Sequence, residues 1–109
     1  TSTIELVGCS VQDLKKHIES QFCEGMSWDN YNHKTWHIDH IVPCSAFDLT
    51  NPIHQRVCFN WMNLQPLWSK LNIKKKDRLT EGSQELVDFI RDELGIKEEI
   101  VLKDVEKNR

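Results

Sequence analysis

The chain has 109 residues, 39% of them hydrophobic and 28% charged, with a formal net charge of −3. That length suits one domain with a real core and is short for two. No apolar run approaches the ~18 residues of a membrane span and no signal peptide opens the chain, so the expected setting is inside the cell, cytoplasmic or DNA-associated, with no membrane partner.

In chain order, Ser10 reads as an N-cap, with Asp13 at the third helical position as a capping-box variant. Val11, Leu14, Ile18 and Phe22 then follow helical spacing, which predicts a helix over about 11–22. Gly25 breaks it, and 27–34 is polar and turn-like around Trp28 and Tyr31. Trp36 to Ile41 reads as a short strand, with Trp36, Ile38 and His40 on one face and His37, Asp39 and Ile41 on the other. Pro43 ends regular pairing, and 44–50 is a loop. Thr50 or Asn51 caps a short helix with Pro52 in its first turn, running to about Asn60. Met62 to Leu67 is extended, because Pro66 biases Gln65 toward β geometry. Ser69 caps a helix through about Lys76 that carries Asn72. Ser83 caps the last one, with Leu86, Phe89, Ile90 and Leu94 as its apolar stripe and Gly95 at its end. Residues 96–109 are ambiguous between strand and frayed helix.

The fold class is α+β. A single compact domain is expected, with an N-terminal helical extension over 1–35 packed on a core at 36–80, followed by an acidic C-terminal helix and tail over 81–109. Residues 1–80 carry a net charge of +1 and residues 81–109 a net of −4, so the acidity sits at the C-terminal end. Within the first part, Lys70, Lys74, Lys75, Lys76 and Arg78 fall in nine residues opposed only by Asp77. Local patches of this kind, more than the global charge, set phosphate affinity. Thr1 in the first position reads as the start of an excised domain or of a trimmed chain.

Chemistry concentrates in Trp36-His37-Ile38-Asp39-His40-Ile41-Val42-Pro43 and in two asparagines downstream, Asn63 and Asn72. Hydrolysis of a phosphodiester needs a base for water and a cation for the charge that develops on phosphate. Asp39 and Asn72 offer one charged and one neutral oxygen to a hard cation such as Mg²⁺, which is held by few protein ligands and keeps several waters. His40 suits Mg²⁺ poorly and is left for the base role.

These segments resemble the three motifs of the HNH endonucleases: Trp36 to Pro43, then Asn63-Leu64-Gln65-Pro66-Leu67, then Asn72 followed by Lys74-Lys75. The likeness covers about residues 36–78. Gly8-Cys9-Ser10, Phe22 and Gly25 to Tyr31 are also similar to an extension found in HNH proteins of phages and large DNA viruses. The resemblance implies a ββα-metal (His-Me finger) core flanked by additional helices. It implies His40 as general base, Asp39 and Asn72 as metal ligands in a His-Asn-Asn variant, and Asn63 as the residue that braces the loop and orients the base. It implies Mg²⁺ or Mn²⁺ as cofactor and DNA, double-stranded, as partner. The expected activity is endonucleolytic nicking by one site, leaving 5′-phosphate and 3′-hydroxyl ends. Paired Cys-x-x-Cys motifs are absent, so no structural zinc is expected, and Trp61, Trp68 and Phe59 are expected to replace it with apolar packing.

Several residues carry competing readings. His37 would touch phosphate or the leaving group, or else be a surface histidine paired to a carboxylate. His17, His33 and His54 are expected to be solvated. Lys70, Lys74, Lys75, Lys76 and Arg78 are candidate phosphate contacts, and the tryptophans are expected in the core. The four cysteines, Cys9, Cys23, Cys44 and Cys58, read as free thiols. A zinc site from His37, His40, Cys44 and Cys58 is disfavoured because its spacing fits no common pattern. Two other functions stay open beside DNA cleavage. One is a DNA-binding module with an idle nuclease site, fused to or associated with a DNA-recognition domain. The other is an RNA substrate. Oligomeric state and recognition sequence are not legible.

Overall fold

A short helix α1 (Thr3–Val7) opens the described part of the chain, which comprises residues 3–75 and 79–103 of this computed structural model. Gly8, at φ 80°, turns the chain out of it, where a side chain would strain the backbone and crowd Asn60 at 3.1 Å. The Ser10 hydroxyl then accepts from the Asp13 amide at 3.0 Å and starts α2 (Val11–Glu19). α2 ends before the expected Phe22. The Ser20 hydroxyl takes the His17 carbonyl at 2.7 Å, and the Gln21 amide slips to Ile18 O. Side chain and backbone compete there for the acceptor that another turn would need.

β1 (Trp36–His40) and β2 (Leu64–Trp68) pair antiparallel, with Trp36 opposite Trp68, Ile38 opposite Pro66 and His40 opposite Leu64. Between them run a 3₁₀ turn at Cys44–Ala46, α3 (Pro52–Cys58) capped by the Asn51 side chain, and a 3₁₀ turn at Trp61–Asn63. β2 passes without a loop into α4 (Ser69–Lys75). Ser69, expected as the cap, is instead the first helical residue. It is buried, with its amide on Thr35 O and its hydroxyl donating to His33 O at 3.0 Å. Gly82 at φ 90°, not Ser83, occupies the cap of α5 (Ser83–Leu94), and Gly95 at φ 70° ends it as expected. Among the described residues, the small α+β domain thus holds one two-stranded sheet with helices around it.

Two cores hold these elements. One gathers Ile18, Met26, Leu64 and the fully buried Trp36, whose ring meets Phe22, Trp28 and Tyr31 at centroid distances of 4.6 to 5.4 Å. Asn30 fixes that ring by accepting from Trp36 Nε1 at 2.8 Å. The second core joins Val42, Ala46 and Phe47 after β1 to Val57 and Cys58 of α3, to Val87 and Ile90 of α5, and to Ile96 and Ile100. Residues 96–103 are neither strand nor helix. Gln84 donates to Ile100 O at 2.7 Å, Arg91 donates to Glu98 O at 2.7 Å, and Lys103 N reaches Ala46 O at 3.0 Å. Of the expected apolar stripe of α5, Ile90 is buried and Leu86 and Leu94 pack partly buried against this core, whereas Phe89 is exposed and Val87 is buried instead. Phe59 packs partly buried against this second core and Trp68 against the first, while Trp61 stands edge-on to His17 at 4.9 Å. The loop after β1 is therefore backed mainly by aliphatic residues from the C-terminal end.

Candidate active site

α4 lies against the face of β1 that carries His37 and Asp39. Two residues of strand advance about 6.7 Å and three residues of helix about 4.5 Å. The rungs meet in order: His37 Nδ1 is 3.1 Å from Asn72 Nδ2, and Asp39 Oδ2 is 3.4 Å from Lys75 Nζ. Lys75 also donates to the His40 carbonyl at 2.8 Å. Gln65, directly opposite Asp39 on β2, donates to Asp39 Oδ2 at 3.0 Å. Asp39 is 9% exposed, and a carboxylate so covered needs these partners.

His37 has a neighbour at each ring nitrogen. Its Nε2 lies 2.9 Å from His33 O, an acceptor only, so Nε2 carries a hydrogen. Its Nδ1 faces the Asn72 amide nitrogen.

Asn63 is 1% exposed and all its side-chain bonds are internal. Its Oδ1 accepts from Val42 N at 2.8 Å, while its Nδ2 donates to Val42 O at 3.1 Å and to Cys58 O at 2.9 Å. Its carbonyl takes the Ile41 amide at 2.8 Å. One side chain thereby clamps the chain just after His40 to the end of α3.

His40 points elsewhere. Strand alternation sends its ring to the side opposite Asp39, where His40, Ile38, Leu64, Leu14 and Phe59 line a cavity of about 480 Å³. The ring meets Phe59 edge-on at 5.3 Å. Its Nε2 is buried with no hydrogen-bond partner. Among the described residues no hydrogen bond joins this ring to Asp39 or Asn72. Its neighbours are Cys44 and Cys58, and the ligand atoms of all three lie within 4.8 Å of one another. Cys58 Sγ donates to Cys44 Sγ at 3.5 Å. That bond, helped by His40, pulls the Cys44 thiol well below its ordinary range, and the same bond with burial pushes Cys58 up.

The structure thus brings Asp39, His37, Asn72 and Lys75 to one face and puts the His40 ring on the other. Of the set considered for zinc, His40, Cys44 and Cys58 converge, while His37 lies with Asn72. Spacing along the chain hid this cluster because α3 carries Cys58 back under the loop. Lys70 is exposed on α4, and Lys74 is placed there by its backbone. Lys76 and Arg78 lie outside the described residues, as does the side chain of Lys74. Of the three histidines expected in solvent, His33 is exposed. His17 Nε2 meets Leu64 O at 3.0 Å, and His54 accepts from the Asp48 amide at 2.9 Å. Gln65 had no signal of its own, since its role follows from the β1–β2 register.

Two uncharacterised proteins of Acanthamoeba polyphaga mimivirus are similar to this chain. L246 is 38% identical over 76 residues, 70% of this chain and 33% of that protein. L426 is 43% identical over 75 residues, 69% of this chain and 33% of that protein. The chain therefore spans about a third of the length of these relatives. No family model and no solved structure matches it. Among the described residues no helix is long and apolar enough to cross a membrane.

Proposed function

We propose that the chain is the nuclease domain of a metal-dependent DNA endonuclease of the HNH type, with β1, β2 and α4 as its ββα-metal finger. The observation that carries this reading is the ladder in which His37 meets Asn72 and Asp39 meets Lys75 across an antiparallel pair running directly into a helix. The donor set fits the expected cation. Asp39 gives a carboxylate oxygen and Asn72 a neutral one, the oxygens that Mg²⁺ and Mn²⁺ prefer. An ammonium already rests on Asp39 Oδ2, so this position is built to face positive charge. A divalent ion held there would neutralise charge on the scissile phosphate and the leaving 3′ oxygen. Lys75 and the neighbouring Lys70 supply phosphate attraction from the same helix. Asn63 fixes the backbone after the base. His40 takes a proton from water, leaving 5′-phosphate and 3′-hydroxyl ends, and one site cuts one strand.

The placement of the His40 ring favours a second reading, a DNA-binding module whose nuclease site is idle. A plasmid-nicking assay with Mg²⁺ or Mn²⁺ separates the two, with duplex DNA, single-stranded DNA and RNA as parallel substrates. The enzymatic reading expects His40→Ala to lower nicking by about 10²–10⁴-fold, and it fails if wild type and variant nick equally. His37→Ala belongs in the same assay. The His37 ring lies beside Asn72, with Nδ1 3.1 Å from its amide nitrogen, so a larger loss in His37→Ala than in His40→Ala would transfer the base role to His37.

A further inference from the structure

We infer that His40, Cys44 and Cys58 form a site for a thiophilic divalent cation of the Zn²⁺ class, separate from Asp39 and Asn72. Tetrahedral zinc, with Zn–S near 2.3 Å and Zn–N near 2.0 Å, sets its sulfurs about 3.8 Å apart and sulfur to nitrogen about 3.5 Å. The two sulfurs already stand 3.5 Å apart, and all three ligand atoms fall within 4.8 Å. Both cysteines are free thiols. His40 Nε2 is buried without a hydrogen-bond partner, and a buried polar atom left so is uncommon in a folded protein.

The site is also held in place. His40 ends β1, Cys44 starts a 3₁₀ turn and Cys58 ends α3. Asn63 ties Val42, between the first two, to the carbonyl of Cys58 itself. Two sulfurs and one imidazole select soft or borderline ions over Mg²⁺. Three protein ligands leave a fourth position for water, reached through the half-buried His40 and Cys44. Loading forms two metal–sulfur bonds and one metal–nitrogen bond, releases the remaining thiol protons to solvent, and transfers no electrons.

One consequence rests on the nuclease reading. A neutral imidazole has a single lone pair, so a His40 that gives it to the metal cannot deprotonate water. The cluster would make nicking sensitive to thiophilic metals while Mg²⁺ supports it.

The test uses the full chain, kept reduced, with Co²⁺ as the probe. The expected result is sulfur-to-cobalt charge-transfer absorption that saturates at one equivalent and is displaced by Zn²⁺. It should persist in the Cys9→Ser/Cys23→Ser double variant and vanish in Cys44→Ser. Absence of the band in wild type, or an equal band in Cys44→Ser, overturns the site. Cys44 is only half buried, and circular dichroism confirms that the variant folds. A second arm measures nicking in Mg²⁺ with and without one equivalent of Zn²⁺. Wild type should fall by about 10²-fold or more, whereas the ratio for Cys44→Ser should stay near unity. If nothing nicks, the nuclease reading falls and the cobalt titration still decides the metal site. Nicking that ignores Zn²⁺ in wild type overturns the inhibitory consequence.

Discussion

Asn63 shows how much one buried polar side chain can decide. Replacing it with Ala strips partners from Val42 N, Val42 O and Cys58 O inside the protein. Each buried unpaired group costs about 1–3 kcal/mol, so Asn63→Ala should lose roughly 3 kcal/mol or more in urea denaturation. A loss under about 1 kcal/mol would remove its bracing role. Asn63→Asp keeps the acceptor for Val42 N but sets an oxygen against two carbonyls, and should cost at least as much. Asp39 and Lys75 make a second residue-level test. The ammonium competes with any cation for the carboxylate, both groups being largely covered. Lys75→Gln should therefore bind Mn²⁺ about tenfold tighter in calorimetry without DNA, equal to about 1.4 kcal/mol, while Asp39→Ala should lose that binding. If Lys75→Gln left Mn²⁺ affinity unchanged, the two cations would not share a site. The dipeptide Asp39-His40 was legible as chemistry, but its partners were not. Which nitrogen or ammonium meets a carboxylate depends on strand register and helix phase, and composition carries neither.

Among the elements, legibility followed local chemistry. Ser10, Pro52 and Gly95 each act within one turn, so α2, α3 and the end of α5 begin or stop where those residues demand. Ser10→Ala should cost about 1 kcal/mol, the usual worth of an N-cap, seen as a lower melting temperature. α1 went unread because five residues give too short a period to recognise. Ser69 has the residue type of a cap, yet the carbonyls of Thr35 and His33 claim its amide and hydroxyl, and tertiary contacts override the local preference. Phe89 fitted the helical stripe but lies outside it, because α5 centres its core face on Val87 and Ile90, with Leu86 and Leu94 at its margins. Phe89 lies at the margin of that face, and a short helix with mixed apolar positions leaves such margins unresolved.

At the scale of the whole molecule, the acidic C-terminal part is not an appendage. Val87, Ile90, Ile96 and Ile100 sit at 7% exposure or less, against Val42, Phe47 and Val57. Burying each such side chain contributes about 1.5–3 kcal/mol, so together they rival the roughly 5–15 kcal/mol that keeps a domain folded. The sequence pointed to acidity there because charge is visible in composition, whereas the seat of Ile96 and Ile100 depends on hydrogen bonds from Gln84 and Arg91 to an irregular backbone. The stretch that resembles a nuclease motif, residues 36–78, therefore lacks half of its second core when cut out alone. A chain ending at residue 82 should unfold without a cooperative transition and expose Val42 and Cys58. Ile100→Ala in the full chain should keep cooperativity and lose about 2–5 kcal/mol. Thermal melts followed by circular dichroism read both. If the shortened chain melts cooperatively near the full-length temperature, the aliphatic core does not support the loop after β1, and the Trp36 cluster must hold Asp39 in place by itself.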